Sequence, residues 1–289
     1  MSGAIAGLAG PAGTRAGMGI DAGGGAGAGG ALGLPVPRAG PGVCATCHGP
    51  ARDGRPDCWC CRAVGAALGH PGRPCPVVVP MAVCRPGDPL HRVLRGYKDA
   101  PGPSVRRHFA GRLTDHVQRF MAAHGGCAAE ACGGWDALAT VPSSARGPGR
   151  VPAPHPIDAV VDAAPCFAGL PRLRLEREPG RTGRLGHLSP DQAAFRVLGA
   201  PRARRVLLLD DAWVTGARVR SAAAALGDAG HHVVAMVVAG RIVDTGATPA
   251  LARWWSWAER HAPVGAPAPA PAPAPAPCCL SPDGAPCAR

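Results

Sequence analysis

The sequence predicts an α/β fold in which a mainly parallel sheet carries helices on both faces. Short, continuously apolar segments such as Val206–Leu209 and Val233–Val238 are typical of strands that are buried on both faces. These segments alternate with helical patterns, such as the apolar positions that recur every three or four residues between Ser104 and Ala123. Strands that alternate with helices in this way form parallel sheets.

The remaining elements follow from the same patterns. Ser104 is the expected N-cap of the helix that continues to Ala123. Trp254, Trp255 and Trp257 are expected on a terminal helix that packs against the domain or a partner. The other predicted strands span residues 76–83, 135–141 and 173–175, and the other predicted helices span residues 156–164 and 216–226.

Composition divides the chain into four parts. The bias created by 42 glycines and 34 prolines belongs mostly to the two ends, where these residues oppose regular structure. Residues 1–43 are therefore predicted to be a disordered Gly/Ala-rich tail, and residues 261–289 a disordered Pro/Ala-rich tail. Residues 44–75 form a small Cys-rich segment, and residues 76–260 are long enough to bury a core in one domain.

The net charge of +12 is partly concentrated in one stretch of the chain. Lys98 is the only lysine, so the excess of arginine matches the bias that also favours Ala, Gly and Pro. Nine arginines nevertheless lie between residues 172 and 205, against three acidic residues, which predicts a local anion site rather than a globally basic surface. The nine are Arg172, Arg174, Arg177, Arg181, Arg184, Arg196, Arg202, Arg204 and Arg205.

Nothing in the sequence predicts membrane insertion, because no segment reaches the ~18 apolar residues that a spanning helix needs. The N-terminus lacks the charged start and continuous apolar stretch of a secretory signal. We therefore expect a cytoplasmic protein whose 13 cysteines stay reduced, so that their spacing points to metal binding rather than to disulfides.

Four cysteines form two Cys-x-x-Cys pairs, Cys44 with Cys47 and Cys58 with Cys61, separated by ten residues. Two such knuckles can each turn two thiolates toward one tetrahedral Zn²⁺, and the metal then substitutes for a core that is too small to fold alone. The pattern predicts a structural zinc site, with Cys60 as an alternative to Cys61 for the fourth ligand.

The segment Val206–Arg218 has the most informative chemistry. A buried strand ends in Asp210 and Asp211, and a loop of small residues then opens a helix. Ligands of open α/β sheets bind at the carboxyl ends of strands, and a helix N-terminus favours a phosphate. Two carboxylates would repel a phosphate, unless the ligand also brings hydroxyl groups or a cation. A sugar phosphate with vicinal hydroxyls and Mg²⁺ meets both conditions.

This segment resembles the phosphoribosyl-diphosphate (PRPP) motif of type I phosphoribosyltransferases, in which four apolar residues precede two acids and a loop rich in Thr and Gly. The resemblance implies the Rossmann-like fold of that family, preceded here by the zinc-knuckle segment. It also implies that Asp210 and Asp211 hold the ribose hydroxyls, directly or through Mg²⁺. The loop implied to hold the 5′-phosphate consists of Val214, Thr215, Gly216, Ala217 and Arg218.

Two positions depart from the motif. Arg218 stands where a second hydroxyl residue is common, so phosphate binding is expected to use its guanidinium group instead. Ala212 and Trp213 replace a pair of aliphatic residues, which places a large side chain near the site.

The order of several motifs along the chain resembles that of the ComF-like, competence-associated phosphoribosyltransferases. These motifs are the cysteine pairs, the segment Leu94–Asp99, the segment Val141–Ser144, the PRPP motif and Arg241. The resemblance implies that the loop after Val141 contacts diphosphate, with Ser143, Ser144 and Arg146 near the leaving group. Residues 146–150 are followed by Val-Pro-Ala-Pro, where the family usually has Arg-Gly-Phe-Asn.

Residues 178–191 are interpreted as a mobile lid, because glycines supply freedom of movement and basic side chains supply charge; the alternative is a solvated basic loop. Arg181, Arg184 and His187 are its candidates for closing over diphosphate. Lys98 is interpreted either as an anion contact or as a surface residue.

The expected function is binding of PRPP with Mg²⁺, with transfer of the phosphoribosyl group and release of diphosphate if catalysis is retained. No residue can be named as the base that activates an acceptor. The alternative is a weakly catalytic or non-catalytic module that handles single-stranded DNA in natural transformation, although an aromatic content of 4% argues against extensive base stacking. The sequence leaves open whether the chain forms a homo-oligomer.

Overall fold

The computed structural model describes residues 32–52, 54–69, 76–142, 155–178, 181, 185–199 and 202–261. Within these residues, seven strands form one sheet. The strands are β1 Val77–Pro80, β2 Val83–Cys84, β3 Ala137–Thr140, β4 Arg172–Arg177, β5 Phe195–Leu198, β6 Arg205–Trp213 and β7 His232–Ile242. Their order is β1-β7-β6-β3-β4-β5, with β2 also paired to β7. Every pairing is parallel except that of β4 with β5.

Helices cover both faces of the sheet, as the sequence predicts. They are α1 Trp59–Ala67, α2 Pro89–Asp99, α3 Pro103–Cys132, α4 Pro156–Asp162, α5 Ala217–Asp228 and α6 Pro249–His261. Side chains alternate along the central strand β6, so that Leu207 and Leu209 share one core with α2, α3 and α4. Val206 and Leu208 share the other core with α5. The α/β class and the mostly parallel sheet are therefore confirmed.

The central strand is longer than the apolar pattern predicts. The predicted strand stops at Leu209, whereas β6 continues through Asp210 and Asp211 to Trp213. Both aspartates therefore lie within the strand, with Asp210 opposite Val238 of β7, and Ala212 and Trp213 extend the strand past the carboxylates. The apolar pattern does not predict this extension, because a buried strand is recognised by its continuous apolar run and Asp210 and Asp211 interrupt it.

Two other elements, helix α3 and strand β5, differ from the sequence-based prediction. Helix α3 begins at Pro103 with Gly102 as its N-cap, so the prediction of Ser104 as the cap is wrong. The same helix runs nine residues past the predicted end at Ala123, to Cys132, through Gly125 and Gly126, which are poor helix formers. Strand β5 was not predicted, since its four residues are too few to show a period, and it forms by pairing with β4.

Residues 32–43, which the sequence assigns to a disordered tail, are ordered against the sheet. Leu32 is buried in the core beside α2 and α3. Leu34 exchanges two backbone hydrogen bonds with Val83 on β2, each 2.9 Å. The part of the chain that folds with the sheet thus includes residues before Cys44, the predicted boundary.

Helix α6 packs on this segment. Trp255 is buried with Val36, Val83 and Val243, and the indole of Trp254 donates a hydrogen bond of 2.9 Å to the carbonyl of Gly42. Of the two interpretations of the terminal tryptophans, packing against the domain is the one that these contacts confirm. No helix in the described part of the chain is long and apolar enough to cross a membrane.

Replacing Leu32 by Ala tests whether the segment before Cys44 belongs to the fold. We expect the Leu32→Ala variant to lose about 2–5 kcal/mol of unfolding free energy, because a fully packed leucine leaves a cavity. Val105→Ala, at an exposed position of α3, is the matched control and should change stability by no more than about 0.5 kcal/mol. Urea unfolding followed by circular dichroism measures both, and equal effects would contradict the assignment.

Candidate functional site

The loop between β6 and α5 closes tightly over Trp213. Gly216, the N-cap of α5, has φ +83°, in the left-handed region that favours glycine. A Cβ atom on Gly216 would also lie 2.3 Å from the Cζ2 atom of Trp213, so only glycine fits there. The indole of Trp213 is buried beneath the loop in the core shared with α5. This side chain, expected near the site, therefore supports the loop from below.

A cavity of about 230 Å³ opens above this loop. Drug-sized ligands usually occupy ~300–1,000 Å³, so the cavity suits a small ligand such as a sugar phosphate, and a larger one has to extend out of it. Its lining includes Asp210, the whole predicted phosphate loop Val214–Arg218, and Leu185–His187 from the predicted lid. The free amides at the N-terminus of α5 and the positive end of its dipole favour an anion here.

The segment before β5 is fastened to the phosphate loop. The hydroxyl of Thr215 donates to the backbone carbonyl of His187 and accepts a weaker hydrogen bond of 3.4 Å from the amide of Ala217. On the next turn of α5, the hydroxyl of Ser221 accepts a hydrogen bond of 2.9 Å from the amide of Asp191. Residues 187–191 thus lie against the loop, with His187 contributing its carbonyl to the contact.

The two aspartates have different surroundings, although each is only 2% exposed. Asp210 lines the cavity and accepts a hydrogen bond of 2.9 Å from the amide of Asp211. The carboxylate of Asp211 is held by α2, where the hydroxyl of Tyr97 donates to it at 2.7 Å and the ammonium group of Lys98 forms an ion pair with it. Lys98 therefore serves as the partner of Asp211, which neither sequence-based interpretation of this residue anticipated.

These surroundings move the pKa values of the two carboxyl groups apart. Burial, and then the negative charge of Asp211, raise the pKa of Asp210 to about 7. Burial would also raise the pKa of Asp211, but Lys98, helped by His155 and Tyr97, lowers it below its usual value. One of the two groups is thus ionised throughout the physiological range, while the other titrates within it.

His155 is a site residue that sequence reasoning missed. It caps α4, where its Nδ1 atom accepts a hydrogen bond of 3.0 Å from the amide of Ile157, so the proton of the neutral ring is on Nε2. Burial lowers the pKa of His155 to about 4. Its ring meets the ring of Tyr97 edge-on, with centroids 6.4 Å apart. Pro156 at the first position of α4 was the available signal, since proline there marks the preceding residue as a cap.

The predicted diphosphate contacts are only partly described. Arg181 is half-buried, and its amide donates a hydrogen bond of 3.3 Å to the carbonyl of Glu178. The remaining candidates in the loop after Val141 and in the lid lie outside the described residues: Ser143, Ser144, Arg146 and Arg184.

Several arginines of the stretch 172–205 have structural partners. Arg172 pairs with Asp162, and Arg196 pairs with Glu176 at 2.8 Å. The guanidinium of Arg205 donates to the carbonyls of Cys132, Gly133 and Gly134 at the C-terminus of α3. The concentration of arginine in the sequence therefore does not translate into an equal number of groups available to an anionic ligand.

A second group of residues could hold a metal ion. The sulfur atoms of Cys44, Cys47, Cys58 and Cys61 lie within 4.8 Å of one another, and all four residues are buried. Backbone amides point at two of the sulfurs: those of Cys47 and Cys58 toward Cys44 Sγ, at 3.5 and 3.2 Å, and that of Cys61 toward Cys58 Sγ, at 3.4 Å. Such bonds favour thiolates. Cys60, the alternative fourth ligand, is half-buried and outside this group.

The cysteine group belongs to the core of the main fold. Its four side chains pack in the same cluster as Val206, Leu208 and the buried face of α5. The expectation that a metal replaces a core in a segment that is too small to fold alone thus needs qualification, since the larger sheet supplies much of the packing around this segment.

Comparison of the chain with protein-family models, with curated proteins and with solved structures finds no match. Functional inference for this protein therefore depends on the residues of the two sites and on their geometry.

The opposite environments of the two aspartates predict opposite effects of neutral substitution. The pKa of Asp210 is about 7 in the folded protein and about 3.8 in the unfolded chain, so the folded state favours the protonated carboxyl group. The wild type therefore has the full contribution of Asp210 to its stability below pH 3.8 and loses it as the pH rises through about 7. Asp210→Asn should therefore gain stability relative to the wild type between pH 5 and pH 8. Asp211→Asn leaves Lys98 without its partner and should lose about 1–3 kcal/mol throughout this range.

Thermal unfolding of the wild type and both variants at half-unit pH steps measures these effects. The two adjacent carboxylates are controls for each other, since the substitutions are chemically identical. If the difference in melting temperature between Asp210→Asn and the wild type stayed constant from pH 5 to pH 8, the assignment of the raised pKa to Asp210 would be wrong.

Proposed function

We propose that this protein binds PRPP together with Mg²⁺ at the carboxyl end of β6, as a member of the phosphoribosyltransferase class. The observation that carries the proposal is the shared cavity, where the carboxylate of Asp210 lies beside the helix N-terminus and the loop Val214–Arg218. A carboxylate suits hydroxyl groups or a cation, and a helix N-terminus suits a phosphate. A ribose phosphate combines these features in one small ligand.

Each part of the cavity then has a distinct role. The amides of residues 214–218 and the guanidinium of Arg218 bind the 5′-phosphate. Asp210 faces the sugar and accepts hydrogen bonds from its hydroxyl groups or contacts Mg²⁺. Tyr97 and Lys98 hold Asp211 in place and ionised, so that it supplies negative charge behind Asp210. The thiol-rich second site takes no direct part in binding.

Phosphoribosyl transfer is the reaction class that fits such a site. An acceptor atom forms a bond to the anomeric carbon of the ribose, and the bond from this carbon to diphosphate breaks with its electron pair leaving on diphosphate. Mg²⁺, when bound with PRPP, neutralises charge on the departing diphosphate. The contribution of the chain is to fix the sugar by its phosphate and hydroxyl groups, so that the anomeric carbon is held for attack.

Isothermal titration calorimetry with PRPP and Mg²⁺ tests the ligand assignment. At pH 8, above the pKa of Asp210, we expect saturable binding to the wild type, and binding about 10–100-fold weaker to Asp210→Asn, because an ionised acceptor is replaced by a neutral one. Asp115→Asn is the matched control, since it removes an exposed carboxylate of α3 and should leave the affinity unchanged. The absence of heat with the wild type, or equal affinities of the wild type and Asp210→Asn, would rule out the proposed site.

We further propose that the four-cysteine site holds a structural Zn²⁺. Zinc–sulfur bonds of ~2.3 Å in a tetrahedron place sulfur atoms ~3.8 Å apart, and the sulfurs of Cys47 and Cys58 are 3.8 Å apart. Hydrogen bonding with Cys44 lowers the pKa of Cys47 to about 7, whereas hydrogen bonding with Cys44, Cys47 and Cys58 raises the pKa of Cys61, so a metal that binds all four thiolates has to displace the proton of Cys61. Four protein ligands leave no open position, as is typical of structural sites.

Metal analysis of the protein, purified under reducing conditions, tests the zinc site. We expect about one Zn²⁺ per chain in the wild type and in Cys60→Ser, and markedly less in Cys61→Ser. The two adjacent cysteines make a close comparison, because only Cys61 belongs to the buried group. Equal zinc content in the two variants would contradict the ligand set, and a wild-type protein free of zinc would contradict the site.

A further inference from the structure

Arg241 is a buried cation that the proposed function does not use. It lies near the end of β7, opposite Trp213 on β6, and is only 5% exposed. One terminal nitrogen of its guanidinium, Nη1, donates to the carbonyl of Trp213 at 3.2 Å and to the carbonyl of Ile242. The Nε atom is buried and has no hydrogen-bond partner among the described residues. This guanidinium therefore has donor capacity and charge that its carbonyl contacts do not use.

The backbone that carries the cysteine pairs lies directly on this guanidinium. A Cβ atom on Gly49 would approach its Nη2 atom to 2.7 Å and its Nε atom to 2.8 Å. The carbonyl of Gly49 in turn accepts the amide hydrogen bond of Cys44, at 2.8 Å. Arg241 is thus packed against the turn that positions two of the four thiols.

Charge balance makes this neighbourhood informative. Within the described part of the chain, the ion pairs between acidic and basic side chains do not include Arg241. A buried charge without a countercharge is strongly unfavourable. Four thiolates around a divalent cation carry a net charge of −2, which would supply the missing countercharge.

A second arginine joins the cysteine segment to the helix after the phosphate loop. The Nη1 atom of Arg220, on α5, donates to the carbonyl of Cys61 at 2.8 Å. Trp213 immediately precedes the loop Val214–Arg218, and Arg220 follows it within the first turn of α5. The cysteine segment is therefore linked to both sides of the loop, directly to Arg220 and through Arg241 to Trp213.

We propose that Arg241 is the countercharge of a metal–tetrathiolate centre and that, through its bond to the carbonyl of Trp213, metal occupancy fixes the conformation of the phosphate loop. When the metal is bound, the guanidinium is held between the centre and the end of β6. When it is lost, the charge that holds the guanidinium there is lost as well, and the loop loses a support. By reciprocity, an anion bound at the loop strengthens metal binding. This inference rests on the proposed metal site but not on the identity of the loop's ligand.

Cobalt binding tests the role of Arg241 as the countercharge. Co²⁺ reports directly on thiolate ligation through its charge-transfer absorption, and competition with a chelator gives its affinity. We expect Arg241→Met to bind Co²⁺ about 10–100-fold more weakly than the wild type, as is usual when a group that supports metal ligands is removed. Arg205→Met is the matched control: it removes another guanidinium that binds carbonyls, at the opposite end of β6, and should leave the affinity unchanged. Equal affinities of Arg241→Met and the wild type would overturn the countercharge.

Hydrogen–deuterium exchange of the zinc-loaded and chelator-treated protein tests the coupling, without any loop ligand. We expect metal removal to raise exchange in the wild type at residues 214–218 and to leave β1 protected. Arg241→Lys keeps the positive charge, so this variant should bind Co²⁺ with an affinity within a few-fold of the wild type. A lysine cannot contact the cysteine turn and the carbonyl of Trp213 at the same time, so residues 214–218 of this variant should exchange fast with or without zinc. The coupling would be overturned if zinc removal left the exchange of residues 214–218 unchanged in the wild type, or if it still raised their exchange in Arg241→Lys. It would also be overturned if exchange in β1 rose together with exchange in the loop.

Discussion

The burial of two neighbouring carboxylates at the end of β6 is the constraint on which the rest of this structure depends. A carboxylate removed from water is unfavourable unless a positive or hydrogen-bonding group compensates it. For Asp211, α2 supplies Tyr97 and Lys98, and these contacts fix where the last turn of α2 must lie on the sheet. For Asp210, compensation is incomplete, so burial and the charge of Asp211 raise its pKa to about 7. A cation or a set of hydroxyl groups in the cavity would remove this deficit, so the same imbalance that costs stability favours a ligand.

The two proposed sites lie on one face of the sheet and share one core. The cysteine group packs against β6 and α5, the elements that flank the phosphate loop. Trp213 contributes to both sites, since its indole supports Gly216 from below and its carbonyl accepts a hydrogen bond from Arg241. In our proposal, a metal centre at the four cysteines supports the phosphate loop. This role would account for a cysteine segment beside a large sheet that has its own core.

Local patterns in the sequence were sufficient for the features whose physical cause is local. The apolar run Val206–Leu209 predicted the central strand, and the spacing of the cysteine pairs predicted the group of four buried cysteines. Features that depend on contacts between distant residues could not be predicted from the sequence. The bond between Tyr97 and Asp211 joins residues 114 positions apart, and the lone Lys98 gave no sign of its partner. The short strand β5 likewise exists only through its pairing with β4.

The ordered segment before the first cysteine also determines how the sheet ends. The amide and the carbonyl of Val83 on β2 both bond to Leu34, while the neighbouring carbonyls of Ala82 and Cys84 accept hydrogen bonds from Arg241 and Val243. An unpaired strand edge invites another chain to add a strand, and natural proteins cover such edges or keep them short and charged. At the far side of the sheet the terminal strand, β5, has four residues and carries Arg196. A chain that began at Cys44 would retain both candidate sites but expose the backbone of Val83 as a template for aggregation.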